Sequence, residues 1–106
     1  MSGLNELQLK YLIQFPDYYD DLYKLEVSAK GYLNEVMVQF LNGTTYPMYF
    51  IDITRLQQDF QSEIEYGNNF LAEPNMVVLS KVTPENITIA VDKLVSQGFF
   101  NELGAL

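Results

Sequence analysis

The order of apolar and polar residues predicts two elements near the start of the chain. Segment 4–14 places three leucines and Tyr11 near one face of a helix, so we predict a short amphipathic helix there. It should end before Phe15-Pro16, because the residue preceding a proline is disfavoured in helical conformation. Residues 23–29 then alternate between apolar and polar side chains, and this period of two predicts a half-buried strand.

A hairpin is predicted around Asn42-Gly43, which separates two further alternating segments. A two-residue loop would place Val38 opposite Pro47, whereas a three-residue loop with a left-handed Gly43 pairs Val38 with Tyr46. We favour the three-residue loop, because a slip of one residue would turn a whole face of the strand over. That register keeps one apolar set on a single face: Val36, Val38, Phe40, Tyr46, Met48 and Phe50.

The positions of the third and fourth strands in the sheet are also predicted. Pro47 has no N–H to donate to a ladder, so the third strand should have an unpaired side there and lie at an edge or a bulge. Residues 76–82 form a nearly continuous apolar run. Such a run is typical of a strand in the interior of a sheet.

Two helices have clear boundaries. Asp52 or Thr54 caps the first, and Gly67 is its left-handed terminator; its apolar residues recur at i, i+4 and i+8, at Leu56, Phe60 and Ile64. The second follows the N-cap Thr83, with Pro84 at its first position, and ends at Gly98.

Together these elements predict an α+β fold in the order α-β-β-β-α-β-α. The sheet should be mixed, with about four strands and with helices packed mainly on one face. At 106 residues, the chain has the length of one domain, which we place at residues 1–106.

The absence of histidine and cysteine changes the functional picture most. It excludes Ser-His-Asp and Cys-His nucleophiles, thiolate chemistry and ordinary zinc or copper sites. The sequence also has no phosphate-binding glycine loop and no paired metal-ligand motif. We therefore expect no enzymatic activity, no catalytic residue, no cofactor and no bound metal.

Charge and hydropathy limit the partners and the location. Fourteen acidic and six basic residues give a net charge of −8, and the cations form no patch, so we expect neither nucleic acid nor a membrane as partner. No apolar run approaches the roughly 18 residues of a membrane helix. Residues 1–6 lack the blocks of a secretory signal. A chain without cysteine suits a reducing compartment, so we expect a cytoplasmic protein.

The densest candidate for binding is an acidic, tyrosine-bearing loop of five residues: Asp17, Tyr18, Tyr19, Asp20 and Asp21. Its carboxylates lack the ligand spacing and central glycine of an EF-hand, so a solvated loop is favoured over a metal site. Tyrosines beside carboxylates are suited to a basic protein partner. Alternatively, Tyr18 or Tyr19 caps the core beneath the loop.

Other candidates are apolar or ionic. Phe70, Leu71, Phe100 and Leu103 could form a self-association surface, although a pair such as Phe70 and Leu71 more often closes the edge of the core under its own loop. Asp52, Arg55, Asp59 and Glu63 share one predicted helix. Their spacing indicates ordinary capping and ion pairing, with Asp52 and Arg55 as the pair, and not acid–base catalysis.

Three functions remain as hypotheses. We favour a non-catalytic protein-interaction module that masks or docks onto a partner, with a basic partner compatible with the charge. Small acidic inhibitors of nucleases, including toxin-immunity proteins and nucleic-acid mimics, have this size and charge, but no motif identifies such a family here. The alternatives are a self-associating structural or scaffold domain, such as a homodimer, and a small-ligand binder that uses Tyr32, Tyr46 or Tyr49.

Overall fold

The computed structural model describes residues 10–102 and builds them around a mixed four-stranded sheet. The α+β class predicted from the sequence is confirmed. In chain order the elements are β1 (Tyr11–Gln14), α1 (Asp21–Lys30), β2 (Tyr32–Phe40), β3 (Thr45–Asp52), α2 (Ile53–Glu65), β4 (Met76–Leu79) and α3 (Pro84–Ser96), followed by a short 3-10 helix, Phe99–Glu102.

The strands lie in the same order in the sheet as in the chain, β1-β2-β3-β4. The first three are antiparallel neighbours, whereas β4 runs parallel to β3. A parallel neighbour requires a crossover connection, and α2 supplies it. This crossover places β4 at one edge of the sheet.

The prediction of helix at 11–14 is wrong, since these residues form β1. Tyr11 pairs with Phe40 and Ile13 with Val38, and the side chains of Tyr11 and Ile13 pack against the core. The edge of β2 supplies hydrogen-bond partners for the backbone of residues 11–14. In a strand, Tyr11 and Ile13 are two residues apart and therefore direct their side chains to the same face. The rest of the predicted helix, residues 4–9, lies outside the described residues.

The prediction of a strand at 23–29 is also wrong, because these residues belong to helix α1. Asp20 is its N-cap, and Gly31, in left-handed conformation at φ 87°, ends it. The side chains that face the core are Tyr23 and Val27. Residues four apart lie on the same face both in a strand and in a helix, so their spacing does not distinguish the two. Leu25, which suggested a strand, is instead 71% exposed.

The predicted hairpin register is confirmed. Val38 pairs with Tyr46, the amide of Phe40 donates to the carbonyl of Thr44 at 2.9 Å, and Gly43 has a φ of 91°. Hence β2 and β3 place their common apolar set on one face, as a three-residue loop requires.

The predicted positions of β3 and β4 within the sheet are wrong. β3 is interior, and β4 is at the edge. Pro47 is tolerated in an interior strand because it precedes the β3–β4 pairing, which begins at Tyr49 opposite Met76; the unpaired side predicted at Pro47 is therefore present. In β4, Val77 and Leu79 face the main core, whereas Val78 on the other face is 45% exposed, so the apolar run does not mark an interior strand.

The helix boundaries predicted from caps agree with the structure. The Asp52 carboxylate accepts the amide of Arg55 at 2.7 Å at the start of α2, and Gly67 follows the helix at φ 96°. The Thr83 hydroxyl accepts the amide of Asn86 at 3.1 Å, and Pro84 opens α3. Local cap chemistry is sufficient to set these positions.

The main core lies between one face of the sheet and the helices α1 and α3. It contains Val27 of α1 and Ile87, Val91 and Val95 of α3, whereas no residue of α2 belongs to it. α2 instead packs beside Met76, whose neighbour Val77 faces the main core. Since successive residues of a strand face opposite sides, α2 lies on the other face. The helices of the described residues are thus mainly on one face.

Candidate functional site

The acidic tyrosine loop is attached to the core by Tyr19. Only 8% of Tyr19 is exposed, and its ring stacks on Phe15 with 5.1 Å between ring centroids. Burial raises the pKa of its phenol, and within the described residues its hydroxyl has no hydrogen-bond partner. Tyr19 therefore caps the core, which was the alternative considered from the sequence, and presents almost no surface to a partner.

Tyr18 is the exposed tyrosine of this loop, and it is held in place. Its hydroxyl donates to a Glu35 carboxylate oxygen at 2.7 Å, and its ring lies edge-on to Tyr23, 4.8 Å away. The hydrogen bond to Glu35, together with desolvation, raises the pKa of Tyr18 to about 12. Glu35 sits at φ 66°, where β2 shifts register against β3, so a bulge directs this carboxylate toward the loop.

The aspartates of the loop have local structural partners. Asp20 caps α1 by accepting the amide of Tyr23 at 2.8 Å, and Asp21 lies 3.6 Å from the ammonium of Lys24. Asp17 is exposed. Among residues 10–102, no three histidine, cysteine or acidic side chains are grouped closely enough to hold a metal ion. The loop therefore combines three exposed aspartates with one fixed tyrosine.

A polar cluster lies beneath α2. The guanidinium of Arg55 donates to Asp59 at 2.9 Å and to the carbonyl of Lys30 at 3.4 Å, and it lies 4.6 Å from the centroid of the Tyr32 ring. The predicted pairing of Arg55 with Asp52 is wrong, because the Asp52 carboxylate caps the helix instead. Through these contacts Arg55 fixes the start of α2 on the sheet.

The tyrosines proposed for ligand binding do not converge. Tyr32 and Tyr49 are neighbours, with 6.4 Å between ring centroids. Tyr46 packs against the main core on the opposite face, 5.1 Å from the ring of Phe100. Burial and the carboxylates of Asp59 and Glu73 raise the pKa of Tyr49, although Arg55 opposes this rise.

The orientation of α2 is the feature that sequence reasoning missed. Arg55, Asp59 and Glu63 form one row along the helix and are half-buried. The neighbouring row, Leu56, Phe60 and Ile64, emerges from the sheet: Phe60 is 38% and Ile64 48% exposed. Although α2 lies wholly within the described residues, none of its side chains is buried. The apolar period that predicted a core helix therefore marks an open surface.

A recess of about 260 Å³ lies where this apolar row meets β4. It is lined by Leu56, Gln57, Phe60, Leu71 and Met76. Phe70, beside Leu71 in the chain, is 65% exposed, and Val78, on the same strand face as Met76, is 45% exposed. We call the six residues Phe60, Ile64, Phe70, Leu71, Met76 and Val78 the α2–β4 surface.

The self-association residues predicted from the sequence are only partly brought together. Phe70 and Leu71 belong to the α2–β4 surface. Phe100 is 3% exposed and packs 5.6 Å from the Phe40 ring in the core, so it cannot form a dimer seam. Leu103 lies outside the described residues. Phe60 and Ile64, the residues that α2 adds to this surface, belong to the i, i+4 apolar pattern that is visible in the sequence. Such a pattern ordinarily indicates a helix that faces the core.

Comparisons with models of protein families, with curated proteins and with solved structures found no match to this chain. In the part of the chain that the structure describes, no helix combines the length and hydropathy needed to cross a membrane.

Proposed function

We propose that this chain is a non-catalytic protein-interaction module that binds another polypeptide through the α2–β4 surface. The observation that carries the proposal is the unburied apolar row of α2. A helix in a small domain normally gains its stability by burying such a row against the core. Here 38% of Phe60 and 48% of Ile64 remain exposed, at a cost that a bound polypeptide would remove.

The recess gives this surface a point for anchoring. It is bounded by the apolar side chains of Leu56, Phe60, Leu71 and Met76. Binding energy at protein interfaces is concentrated where one large side chain fills such a desolvated site. Two exposed glutamates, Glu65 and Glu73, flank the surface in sequence and provide the polar rim that interfaces usually have.

Photo-crosslinking in the native cell tests this function. A photoreactive amino acid at Ile64 should give a discrete adduct with a polypeptide. The same amino acid at Gln58, which is exposed on another face of α2, should not. Mass spectrometry of the adduct identifies the bound chain. If position 64 gives no adduct, or if both positions give the same products, the α2–β4 surface is not a binding surface.

Masking of a basic partner by the acidic loop is the second candidate function. It is favoured by the Tyr18–Glu35 hydrogen bond, which adds a further carboxylate beside the loop and holds the Tyr18 ring at a fixed position. An inhibitor or immunity-type protein would act in this way, since opposite charge speeds encounter and sets orientation. A neutral triple variant, with Asn replacing Asp17, Asp20 and Asp21, should abolish binding to a basic partner if this candidate is correct.

A further inference from the structure

We infer that the polypeptide bound by the α2–β4 surface is a second copy of this chain, joined across a two-fold axis beside β4. This inference rests on the proposed function and specifies its partner. In the dimer the two β4 strands pair antiparallel, and the apolar rows of the two α2 helices pack against each other. The sheets of the two copies then form one continuous eight-stranded sheet.

The outer edge of β4 is able to pair in this way. Among residues 10–102 no strand lies beyond β4. The amide of Tyr49 donates to the carbonyl of Asn75, which shows that alternate residues starting at Asn75 direct their backbone groups toward β3. Met76 and Val78 therefore direct their N–H and C=O groups outward. β4 contains no charged residue, proline or bulge, the devices that commonly protect an edge strand.

If the two-fold axis passes beside Val77, both outward-facing residues, Met76 and Val78, can form backbone hydrogen bonds with the other copy. Met76 of one copy then lies opposite Val78 of the other, and the reverse pair is equivalent, so the two pairs exchange about four backbone hydrogen bonds. Four bonds are too few to hold a dimer by themselves, since a hydrogen bond formed in exchange for water contributes little. The apolar side chains of α2 must therefore supply most of the affinity.

The position of α2 allows the helices to meet across this axis. α2 contacts both β3 and β4, and Leu56 and Phe60 line the recess together with Met76 of β4. Strands are about 4.8 Å apart, so a helix above the boundary between β3 and β4 lies about 5 Å from an axis that passes midway between two paired β4 strands. The two helices are then about 10 Å apart, which is the usual distance between packed helices.

The exposed apolar area of the α2–β4 surface sets the expected strength of the dimer. A phenylalanine buries roughly 150–250 Å², so Phe60 and Phe70, at 38% and 65% exposure, present on the order of 200 Å² together. Ile64, Val78, the lining of the recess and the outer edge of β4 add to this. These contributions stay below the roughly 800 Å² that each partner contributes to a standard interface, so we expect a small interface and a weak dimer.

The six residues of the α2–β4 surface carry no charge, so the surface itself does not select a basic partner. The chain carries 14 acidic residues, yet the outer flank of the apolar row of α2 holds Gln57 and Gln61, and Glu65 continues this flank only at the last residue of the helix. Asp59 is paired with Arg55 at 2.9 Å, and Glu63 accepts a hydrogen bond from Asn68 at 2.8 Å. Two acidic chains can therefore meet here without opposing carboxylates at the centre, where interfaces are normally depleted of charge.

Sedimentation equilibrium of the full chain tests this inference. The wild type should change from a 12.2 kDa monomer to a dimer as its concentration rises. Val78→Pro removes an outward N–H and leaves the β3–β4 ladder intact, so it should weaken the dimer at least about tenfold. Ile64→Glu should do the same, whereas Gln58→Glu, which adds the same charge on another face of α2, should not. Circular dichroism verifies that each variant is folded.

Hydrogen exchange provides a second measurement. The Val78 amide should become protected as the protein is concentrated, in parallel with the mass change. A wild type that stays monomeric, or a dimer unaffected by Val78→Pro and Ile64→Glu, would overturn the inference. If the protein is monomeric but position 64 still crosslinks to a different protein in the cell, the proposed function survives without this partner.

Discussion

Gly31 is the residue at which the end of α1 touches the start of α2. Its φ of 87° is left-handed, and a Cβ built there would lie 2.7 Å from an Asp52 carboxylate oxygen and 2.9 Å from the Cβ of Arg55. The position therefore needs glycine for two separate reasons: backbone conformation and lack of space. Gly43 has nearly the same φ, 91°, but a Cβ at that position would meet nothing within 4 Å.

We predict that Gly31→Ala destabilises the protein more than Gly43→Ala. Gly43→Ala should cost about 1 kcal/mol, the cost of a left-handed non-glycine residue. Gly31→Ala adds a steric clash with the cap of α2 and should cost at least about 2 kcal/mol more. Urea unfolding of both variants measures the difference. Equal losses would mean that the contact between Gly31 and Asp52 has no energetic importance.

The Tyr18–Glu35 contact makes stability depend on alkaline pH. The pKa of Tyr18 is raised to about 12 from its ordinary value of 10, so the folded state holds the phenol proton more tightly than the unfolded state does. This contribution to stability is complete below pH 10 and is lost as the pH rises through 12. Tyr11, whose hydroxyl donates to Asp92 at 2.6 Å, has a pKa raised to about 12 mainly by burial and acts in the same direction.

We predict that Glu35→Gln moves the pKa of Tyr18 back toward 10. The substitution removes the negative charge that opposes ionisation of the phenol while keeping a side chain of similar shape. Titration of ¹³C-labelled tyrosine ring signals by NMR follows each phenol separately. Glu26→Gln, on an exposed residue of α1, is the matched control for the charge and should leave Tyr18 unchanged. A Tyr18 titration that is identical in the two variants contradicts the role of Glu35.

At the scale of elements, α2 and α3 look alike in sequence and differ in the structure. Both are 13-residue helices with a polar N-cap and an apolar period. The apolar residues of α3 are buried, with Ile87 at 0% exposure, whereas Ile64 of α2 is 48% exposed. Ile87 therefore contributes more to the stability of the monomer than Ile64 does, although both are isoleucines in the apolar row of a helix.

We predict that Ile87→Ala costs several times more stability than Ile64→Ala in dilute protein. Loss of a fully buried isoleucine side chain leaves a cavity and should cost about 2–5 kcal/mol. Ile64→Ala should cost about 0.5 kcal/mol or less, since the side chain is already half in solvent. Thermal unfolding at low concentration makes the comparison. A large loss for Ile64→Ala would show that α2 is stabilised by burial of this row within the monomer.

The elements that can be predicted well from the sequence are those set by local chemistry. The hairpin follows from Asn42-Gly43, and the ends of two helices follow from Asp52, Thr83 and the glycines after them. Residues 23–29 are ambiguous because Tyr23 and Val27 fit both periods. The rotation of α2 about its axis is not predictable, since it depends on the contact of Arg55 with Tyr32, which is distant in the chain. The burial of Tyr19 and Phe100 likewise depends on contacts between distant segments.

At the scale of the whole molecule, the acidic loop and the α2–β4 surface lie at different ends of the sheet. The loop follows β1, at one edge, and contacts Glu35 of β2. The α2–β4 surface is at the other edge. A dimer formed through β4 therefore leaves both loops free, and the two candidate surfaces are compatible in one assembly.

We predict that added salt strengthens the dimer. Each copy has a net charge of −8, so the two copies repel each other at long range, and raising the salt from about 0.05 to 0.5 M screens this repulsion. The apolar contact at the centre is not weakened by salt. Sedimentation at several salt concentrations measures the trend. Binding of a basic partner to the acidic loop should show the opposite trend, so weakening of self-association by salt would point to an ionic interface.

The crossover from β3 to β4 has a consequence for how the protein folds. β1, β2 and β3 are antiparallel neighbours, but β4 reaches β3 only after the 23 residues from Ile53 to Asn75 have been ordered. Closing that long segment costs entropy before any contact compensates it, so pairing of this kind is slow. We expect the three-strand meander to form first and β4 to dock last. Until it docks, the edge of β3 is open, and the period of greatest risk of aggregation falls in that interval.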